Sequence, residues 1–348
     1  MAAIQNKGTI LITGGGGFVG GQIVREALES GYNVRITART PSSASRTVAR
    51  FPSYAANLST AIIPDMTVPE SYKDAFADGA ITHIVHSASP FNLAPEDNVR
   101  DLLEPATRGA TAVLEAARRY GGGRVKRVAA TASFACVVDI GKGKREGYTY
   151  SEKDWNPATW EEAAEAPGVV AYCASKALAE RAMWDWTAAH AADAGFALTT
   201  ICPPWVFGPY AHALESTRGI SESVGLLDGI IDGEDIPAFD FGGYADSREV
   251  AAAHVRALEV PAAAGRRFVV GQDFRYQAAV DAAREALPEL RDRLPLGNPG
   301  EWEPAYHIDG SEAARVLGIE YGTLRDTVVA TYSQLLRARA LDAAKAKA

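Results

Sequence analysis

The chain has 348 residues, 47% of them hydrophobic and 22% charged, which is the composition of a globular protein able to bury one large or two modest cores. A formal net charge of −8 and a pI near 5.4 exclude nonspecific attraction to nucleic acid, since a polyanion is repelled. Residues 1–8 hold no signal-like apolar core, and no run reaches the roughly 18 apolar residues of a membrane span. Cys136, Cys173 and Cys202 lack paired spacing or histidine neighbours, so a soluble cytoplasmic protein with buried, reduced thiols and no metal is expected.

The first strand is predicted over 8–13, followed by Gly14-Gly15-Gly16-Gly17-Phe18-Val19-Gly20 and a helix over 22–30. Glycines at this spacing, between a strand and a helix, let the backbone turn tightly and approach a pyrophosphate at the helix start. A dinucleotide site is therefore expected at Gly14, Gly17, Phe18, Val19 and Gly20. No Gly-Lys-Ser/Thr follows, which excludes a kinase-type phosphate loop.

A second strand is read at 32–39. An NAD site would place an acid near its end, but this chain has Arg39 there and no acid until Asp65. A guanidinium suits the 2′-phosphate of NADPH, so the expected cofactor is NADP(H), with a solvated arginine rim as the alternative role for Arg39. A third strand over 60–64 leads to Asp65 and Met66, placed either at the adenine or in a loop cap. Residues 74–80 read as the end of a crossover helix. The fourth strand, 81–86, delivers Ser87, Ala88 and Ser89 toward the nicotinamide, and His83 and His86 read as strand residues rather than metal ligands.

A long helix over 98–120 and a fifth strand over 125–130 follow, the latter carrying Thr131 and Ser133 to the carboxyl edge where open parallel sheets bind ligands. Residues 138–167 read as a loop forming one lip of the cleft, anchored by Trp155 and Trp160. A helix from about 168 to 192 then bears Tyr172 and Lys176, four positions apart and so on one face. Reducing a carbonyl takes hydride at carbon and a proton at oxygen. Tyr172 would give the proton if the Lys176 ammonium eased its ionisation, with Ser133 orienting the substrate oxygen. Taken singly, the three could be a strand-end cap, a packing residue and a surface lysine.

Beyond a strand over 196–202, Pro203 and Val206 are expected on the cofactor side, and Trp205 and Tyr210 beside the substrate with Phe91 and Ser133. Trp205 could equally seal the core. Helices are read at 220–232, 277–287, 311–317 and 324–338, and a strand at 267–271. The fold class is α/β, a Rossmann-type doubly wound, mostly parallel sheet with a smaller carboxyl-terminal lobe. Residues 1–202 form the dinucleotide-binding part and 203–235 with 272–338 the substrate lobe, while 236–271 return to the large domain and 339–348 fray.

These motifs together resemble the extended short-chain dehydrogenase/reductase family, in particular its branch of dihydroflavonol reductases, fungal aldehyde and ketone reductases and methylglyoxal reductases. The resemblance rests on Thr13 to Gly20, Arg39, Asp65, the segment His86-Ser87-Ala88-Ser89-Pro90-Phe91, the Glu104-Pro105-Ala106-x-x-Gly109 segment, and Ser133, Tyr172 and Lys176. It implies NADPH-dependent reduction of an aldehyde or ketone, such as an aromatic aldehyde, diketone or β-ketoester, by a monomer, with a homodimer as the other state. A nucleotide-sugar epimerase, a sterol or flavonoid oxidoreductase and a non-catalytic cofactor-binding protein are the alternatives. The branch usually carries two adjacent serines where this chain has Thr131-Ala132-Ser133, a departure that alters local hydrogen bonding.

Overall fold

The computed structural model describes residues 7–89 and 95–347. The strands in chain order are β1 (Thr9–Thr13), β2 (Asn33–Ala38), β3 (Leu58–Ile62), β4 (Ile81–His86), β5 (Arg127–Thr131), β6 (Thr149–Tyr150), β7 (Ala197–Cys202), β8 (Trp205–Phe207), β9 (Gly243–Asp246), β10 (Arg266–Val269), β11 (Gln272–Asp273) and β12 (His307–Ile308). The helices are α1 (Phe18–Glu29), α2 (Pro41–Ala49), α3 (Glu104–Tyr120), α4 (Trp160–Glu165), α5 (Gly168–Ala189), α6 (Glu222–Ile230), α7 (Ser247–Glu259), α8 (Tyr276–Ala286), α9 (Ser311–Leu317) and α10 (Leu324–Lys347).

Seven parallel strands make the main sheet in the order β10-β7-β5-β4-β1-β2-β3. Its central strand shows why the sheet is covered twice. Ile10, Leu11 and Ile12 are all fully buried, yet Ile10 and Ile12 join one core with Ile23 and Val24 of α1 and Val250 of α7, while Leu11 joins another with Val113 and Leu114 of α3. Alternate side chains point to opposite faces, so an unbroken apolar strand needs helices on both. α1 packs on α7, and α3 on α5. The reversal in strand order between β1 and β4 opens the crevice expected of a doubly wound sheet. A smaller sheet, β11-β9-β8, and the pair β12-β6 lie outside it.

Several elements differ from expectation. α2 was not foreseen; Thr40 caps it, accepting from the Ser43 N–H at 3.2 Å, with Pro41 in its first turn, both standard helix-starting devices. The crossover after β3 is a 3₁₀ turn over Pro69–Phe76, and beyond it Asp78 binds Arg35 at 2.6 Å rather than continuing a helix. The long helix opens as a π turn over Val99–Leu103 before α3. Pro105 has no N–H to give to the carbonyl four residues back, which favours that slip. The 138–167 loop contains β6 and the capped α4. The tail expected to fray past 338 is helical to Lys347, because Arg339 binds Asp228 at 2.7 Å and Asp342 accepts from the Thr217 N–H at 2.8 Å. Among the described residues no helix is long and apolar enough to cross a membrane.

One buried ion pair fixes α5 to the sheet. Glu180 accepts from Arg267 of β10 at 2.8 and 2.9 Å and from the Thr200 hydroxyl of β7 at 2.6 Å. The Arg267 guanidinium also lies 3.4 Å from the Trp155 ring centre and donates to the carbonyls of Glu152 and Asp154, each at 2.9 Å. Removing one partner strands a charge in the core. Arg267→Met is therefore expected to cost about 3–5 kcal/mol in urea unfolding, and a loss under about 1 kcal/mol, the range of exposed pairs, would show that α5 is fixed by something else.

Candidate active site

The glycine turn is shaped by two contacts that a side chain would block. Gly14 has φ +73°, and a Cβ there would sit 2.8 Å from the Ala88 nitrogen; a Cβ on Gly20 would overlap the Gly14 carbonyl oxygen. The Gly17 N–H closes the turn on that carbonyl at 2.9 Å. α1 starts at Phe18, and Gly17 supplies no side-chain cap, so the first-turn N–H groups have no side-chain partner. A cradle without Cβ atoms at an uncapped helix start fits a dinucleotide's pyrophosphate. Val19 is half-buried in the first turn, and Phe18 packs under Tyr210 with ring centres 4.4 Å apart.

Thr13 joins this turn to the end of β4. Its hydroxyl accepts from the N–H groups of Ser87 and Ala88, at 3.1 and 3.0 Å, and lies 2.9 Å from Nδ1 of His86. With two N–H groups donating to it, the hydroxyl's own proton goes to His86. Burial, and then the charge of Lys176, pull the His86 pKa down to about 4, consistent with a neutral ring accepting that bond. Ser89 accepts from Lys176 at 2.6 Å, which links the segment after β4 to α5. Phe91 lies outside the described residues.

At the other end of the crevice Arg39 is exposed just past β2. Arg35, also basic, is bound to Asp78 and the Ala75 carbonyl. Asp65 closes a loop, accepting from the N–H and hydroxyl of Thr67 at 2.8 and 2.7 Å, bonds that hold its pKa below the usual value. Met66 packs beside Gly109 of α3.

Thr131 ends β5, Ser133 follows two residues on, and Lys176 of α5 lines one pocket with Thr131 and Ala132. Thr131 lies 2.7 Å from Nε2 of His254, whose Nδ1 is 2.7 Å from the Val250 carbonyl. That carbonyl only accepts, so the His254 proton is on Nδ1 and Thr131 donates to Nε2. Ser133 opens a 3₁₀ turn over Phe134–Cys136, accepting from the Ala135 N–H at 3.1 Å, and this turn packs on α5. Tyr172 and Lys176 share one face of α5, with the ammonium 5.0 Å from the phenol ring centre. Burial is the main influence on both: it raises the Tyr172 pKa above 10 and lowers that of Lys176 from 10.5 to about 8.

The Pro203 carbonyl accepts from the Phe134 N–H at 2.8 Å, tying the β7–β8 turn to the Ser133 turn. Val206 is buried in β8; Trp205 is half-buried, 5.6 Å from Phe241, its indole N–H on Asp240 at 3.2 Å. Tyr210 is buried against Phe18, its hydroxyl accepting from the Ser221 N–H at 2.7 Å. Sequence reasoning missed the supports His254, Asn156 and the pair Glu180–Arg267, and it gave Thr13 only as part of the turn motif. Asn156 is buried, donates to the Ala135 carbonyl at 2.9 Å, and its own carbonyl accepts from Arg181 of α5 at 2.7 Å, bridging the Ser133 turn to the Tyr172 helix. Only Glu180 left a signal, an acid one turn beyond Lys176. Cys136, Cys173 and Cys202 are all buried and free, and among the described residues no group of His, Cys, Asp or Glu could hold a metal ion.

A doubly wound sheet with this glycine turn and this Ser, Tyr and Lys set defines the extended short-chain dehydrogenase/reductase class. The family model for the NAD dependent epimerase/dehydratase family matches residues 10–271. The NADPH-dependent methylglyoxal reductase GRE2 of Saccharomyces cerevisiae is 32% identical over 94% of this chain and 98% of its own length. The ketoreductase azaE of Aspergillus niger is also 32% identical, over 94% and 97%. A crystal structure of yeast methylglyoxal/isovaleraldehyde reductase Gre2 complexed with NADPH superposes with a TM-score of 0.89 at 31% identity, covering 96% of this chain and 99% of that one. The chain belongs to the NAD dependent epimerase/dehydratase family, within its branch of GRE2-like oxidoreductases.

Burial holds His254 neutral, its pKa pulled from 6.5 down to about 4. Between those values the unfolded chain binds a proton that the fold refuses, so stability present above pH 6.5 is lost as pH falls toward 4. His254→Gln keeps a donor and an acceptor without titrating. Its urea midpoint is expected to fall less steeply with acid than that of the parent, and parallel slopes would refute the buried neutral histidine.

Proposed function

We propose that the protein is an NADPH-dependent carbonyl reductase acting on aldehydes or ketones, with aromatic aldehydes, diketones and β-ketoesters as the substrate class. The observation that carries this reading is the placement of Tyr172 and Lys176 on one face of α5, with Lys176 bonded to Ser89 past β4. When bound, a reduced nicotinamide supplies hydride for the carbonyl carbon. Gly14, Gly17, Phe18, Val19 and Gly20 would hold its pyrophosphate, Arg39 its 2′-phosphate, and Asp65 and Met66 its adenine. Ser87 to Ser89, Thr131, Pro203, Val206 and Lys176 would line the nicotinamide half.

Ser133 gives its hydroxyl proton to the substrate oxygen as a hydrogen bond, and Tyr172 transfers its own proton there as charge develops. A phenol kept protonated by burial is in the form required of the donor. The phenolate left behind needs a cation, which Lys176 provides while it stays an ammonium. Phe91, Trp205 and Tyr210 are assigned to the substrate side. The lobe formed by 203–235 with 272–338 is assigned to that side; within 236–271, β10 returns to the main sheet, whereas β9 pairs with β8 and β11 in the smaller one. Three unpaired thiols suit a reducing cytoplasm, and a monomer is the assembly proposed.

Tyr172→Phe is expected to lower the kcat/KM for carbonyl reduction by about 10²–10⁴-fold while NADPH still binds; near-parent turnover would remove the tyrosine from the chemistry. Because Lys176 titrates near pH 8, reduction should weaken as pH rises through 8, earlier than for a solvated lysine. A profile flat to pH 10 would contradict a required ammonium. Arg39→Gln is expected to weaken NADPH binding about tenfold and leave NADH binding unchanged, measured by fluorescence titration, and equal effects on both would refute its phosphate role.

A further inference from the structure

Beside the glycine turn lies a cleft of about 760 Å³, walled by Gly16 to Phe18, by the end of α2 and by residues of the 210–221 segment. Arg46 and Arg50 line it from the α2 side and Arg218 from the facing segment. All three are exposed. Many other arginines of this acidic chain are paired with carboxylates, as Arg35 is with Asp78, Arg119 with Glu70 and Arg339 with Asp228. Among the described residues these three have no such pairing, and one carboxylate, Glu215, shares the wall with them.

The cleft is also built rather than merely charged. Arg50 donates to the Gly16 carbonyl at 2.6 Å, which anchors its guanidinium beside the turn while leaving further N–H groups to face a ligand. His212 lines the same wall with Nδ1 buried and lacking a hydrogen-bond partner. Burial and the neighbouring Arg50 and Arg25 lower its pKa to about 4, so the ring is neutral. Three guanidiniums against one carboxylate, at the start of an uncapped helix, make a local anion site in a protein whose net charge is −8.

We propose that this cleft binds a phosphate group, held between Arg46 and Arg50 on one side and Arg218 on the other. The proposal rests on the reading of Gly14 to Gly20 as a cofactor turn, and it adds a second cationic set to Arg39, which does not line the cleft. The phosphate is either one of the cofactor's own or free inorganic phosphate.

The test compares the parent with Arg50→Gln, Arg218→Gln and Arg39→Gln. NADPH and NADH dissociation constants are measured by fluorescence titration at low and high salt, and the rise in Tm with inorganic phosphate is measured on the same proteins. Arg218 is exposed and bears no ion pair, so its variant keeps the test valid if Arg50→Gln unfolds. The expected result is about tenfold weaker NADPH binding in Arg50→Gln and Arg218→Gln at low salt, the effect of a lost charged hydrogen bond, with a shallower dependence on salt. Equal weakening of NADH assigns the cleft to the pyrophosphate, and loss confined to NADPH assigns it to the 2′-phosphate. If cofactor binding holds but the phosphate-induced rise in Tm disappears, the site is confirmed for free phosphate. Unchanged cofactor affinities and an unchanged phosphate response in both variants overturn the proposal. An effect of Arg39→Gln alone would leave the reductase reading standing without it, whereas absent carbonyl turnover in the parent would sink that reading and leave the cleft to be judged by titration.

Discussion

The position of the catalytic helix depends on a buried ion pair that has no part in the proposed chemistry. α5 buries mostly small residues, Ala171, Cys173, Ala174, Ser175, Ala177 and Ala179. Small side chains permit close packing but resist sliding or rotation poorly. Glu180 supplies the missing register, since its carboxylate meets the guanidinium of Arg267 and the hydroxyl of Thr200 from two adjacent strands. One helical turn earlier, Lys176 is thereby fixed at the edge of the sheet. A buried pair gains little stability over apolar residues of the same volume; here its geometric demand, two parallel hydrogen bonds in one plane, is the property that matters.

The same burial that orders the site also sets its electrostatic difficulty. Tyr172 and Lys176 are both pushed toward their neutral forms, and His86 behind them is neutral as well. In the proposed reaction such a phenol would keep its proton until a substrate oxygen gained charge. The amine must still be charged at that moment. Its bond to Ser89 at 2.6 Å ties the amine to the segment after β4.

What the sequence revealed follows from the range of the interactions involved. The strand β4 and helix α9 have the ends expected of them, and the glycine turn lies between strand and helix as read, because each is governed by neighbours in the chain. The capped start at Thr40-Pro41 was equally local and was passed over, since α2 buries only Ala44 and Thr47 and so lacks an apolar stripe. The supports of the site were not legible for a different reason. Glu180 and Arg267 are 87 positions apart, Thr131 and His254 123, and each residue taken alone reads as an ordinary polar side chain. Electrostatics were the least legible part, for burial, a property of the whole fold, is the largest influence on both Tyr172 and Lys176.

The final helix shows how such distant pairing reshapes a region that composition would discard. Residues 339–347 are mostly alanine and charge, with Leu341 exposed, yet α10 runs through them because it is held from outside. Thr331 accepts from the Gly208 N–H at 2.7 Å, Gln334 bonds both the N–H and the carbonyl of Tyr210, and Asp342 takes the N–H and hydroxyl of Thr217. The helix thus serves as a splint for 208–217, the segment that leads from β8 past Tyr210 to one wall of the arginine-lined cleft. A loop held by its backbone keeps its side chains free to face a ligand. The glycine turn and, from Ile10 on, the main-sheet strands lie within residues 10–271, which match the family model, whereas α10 lies beyond them.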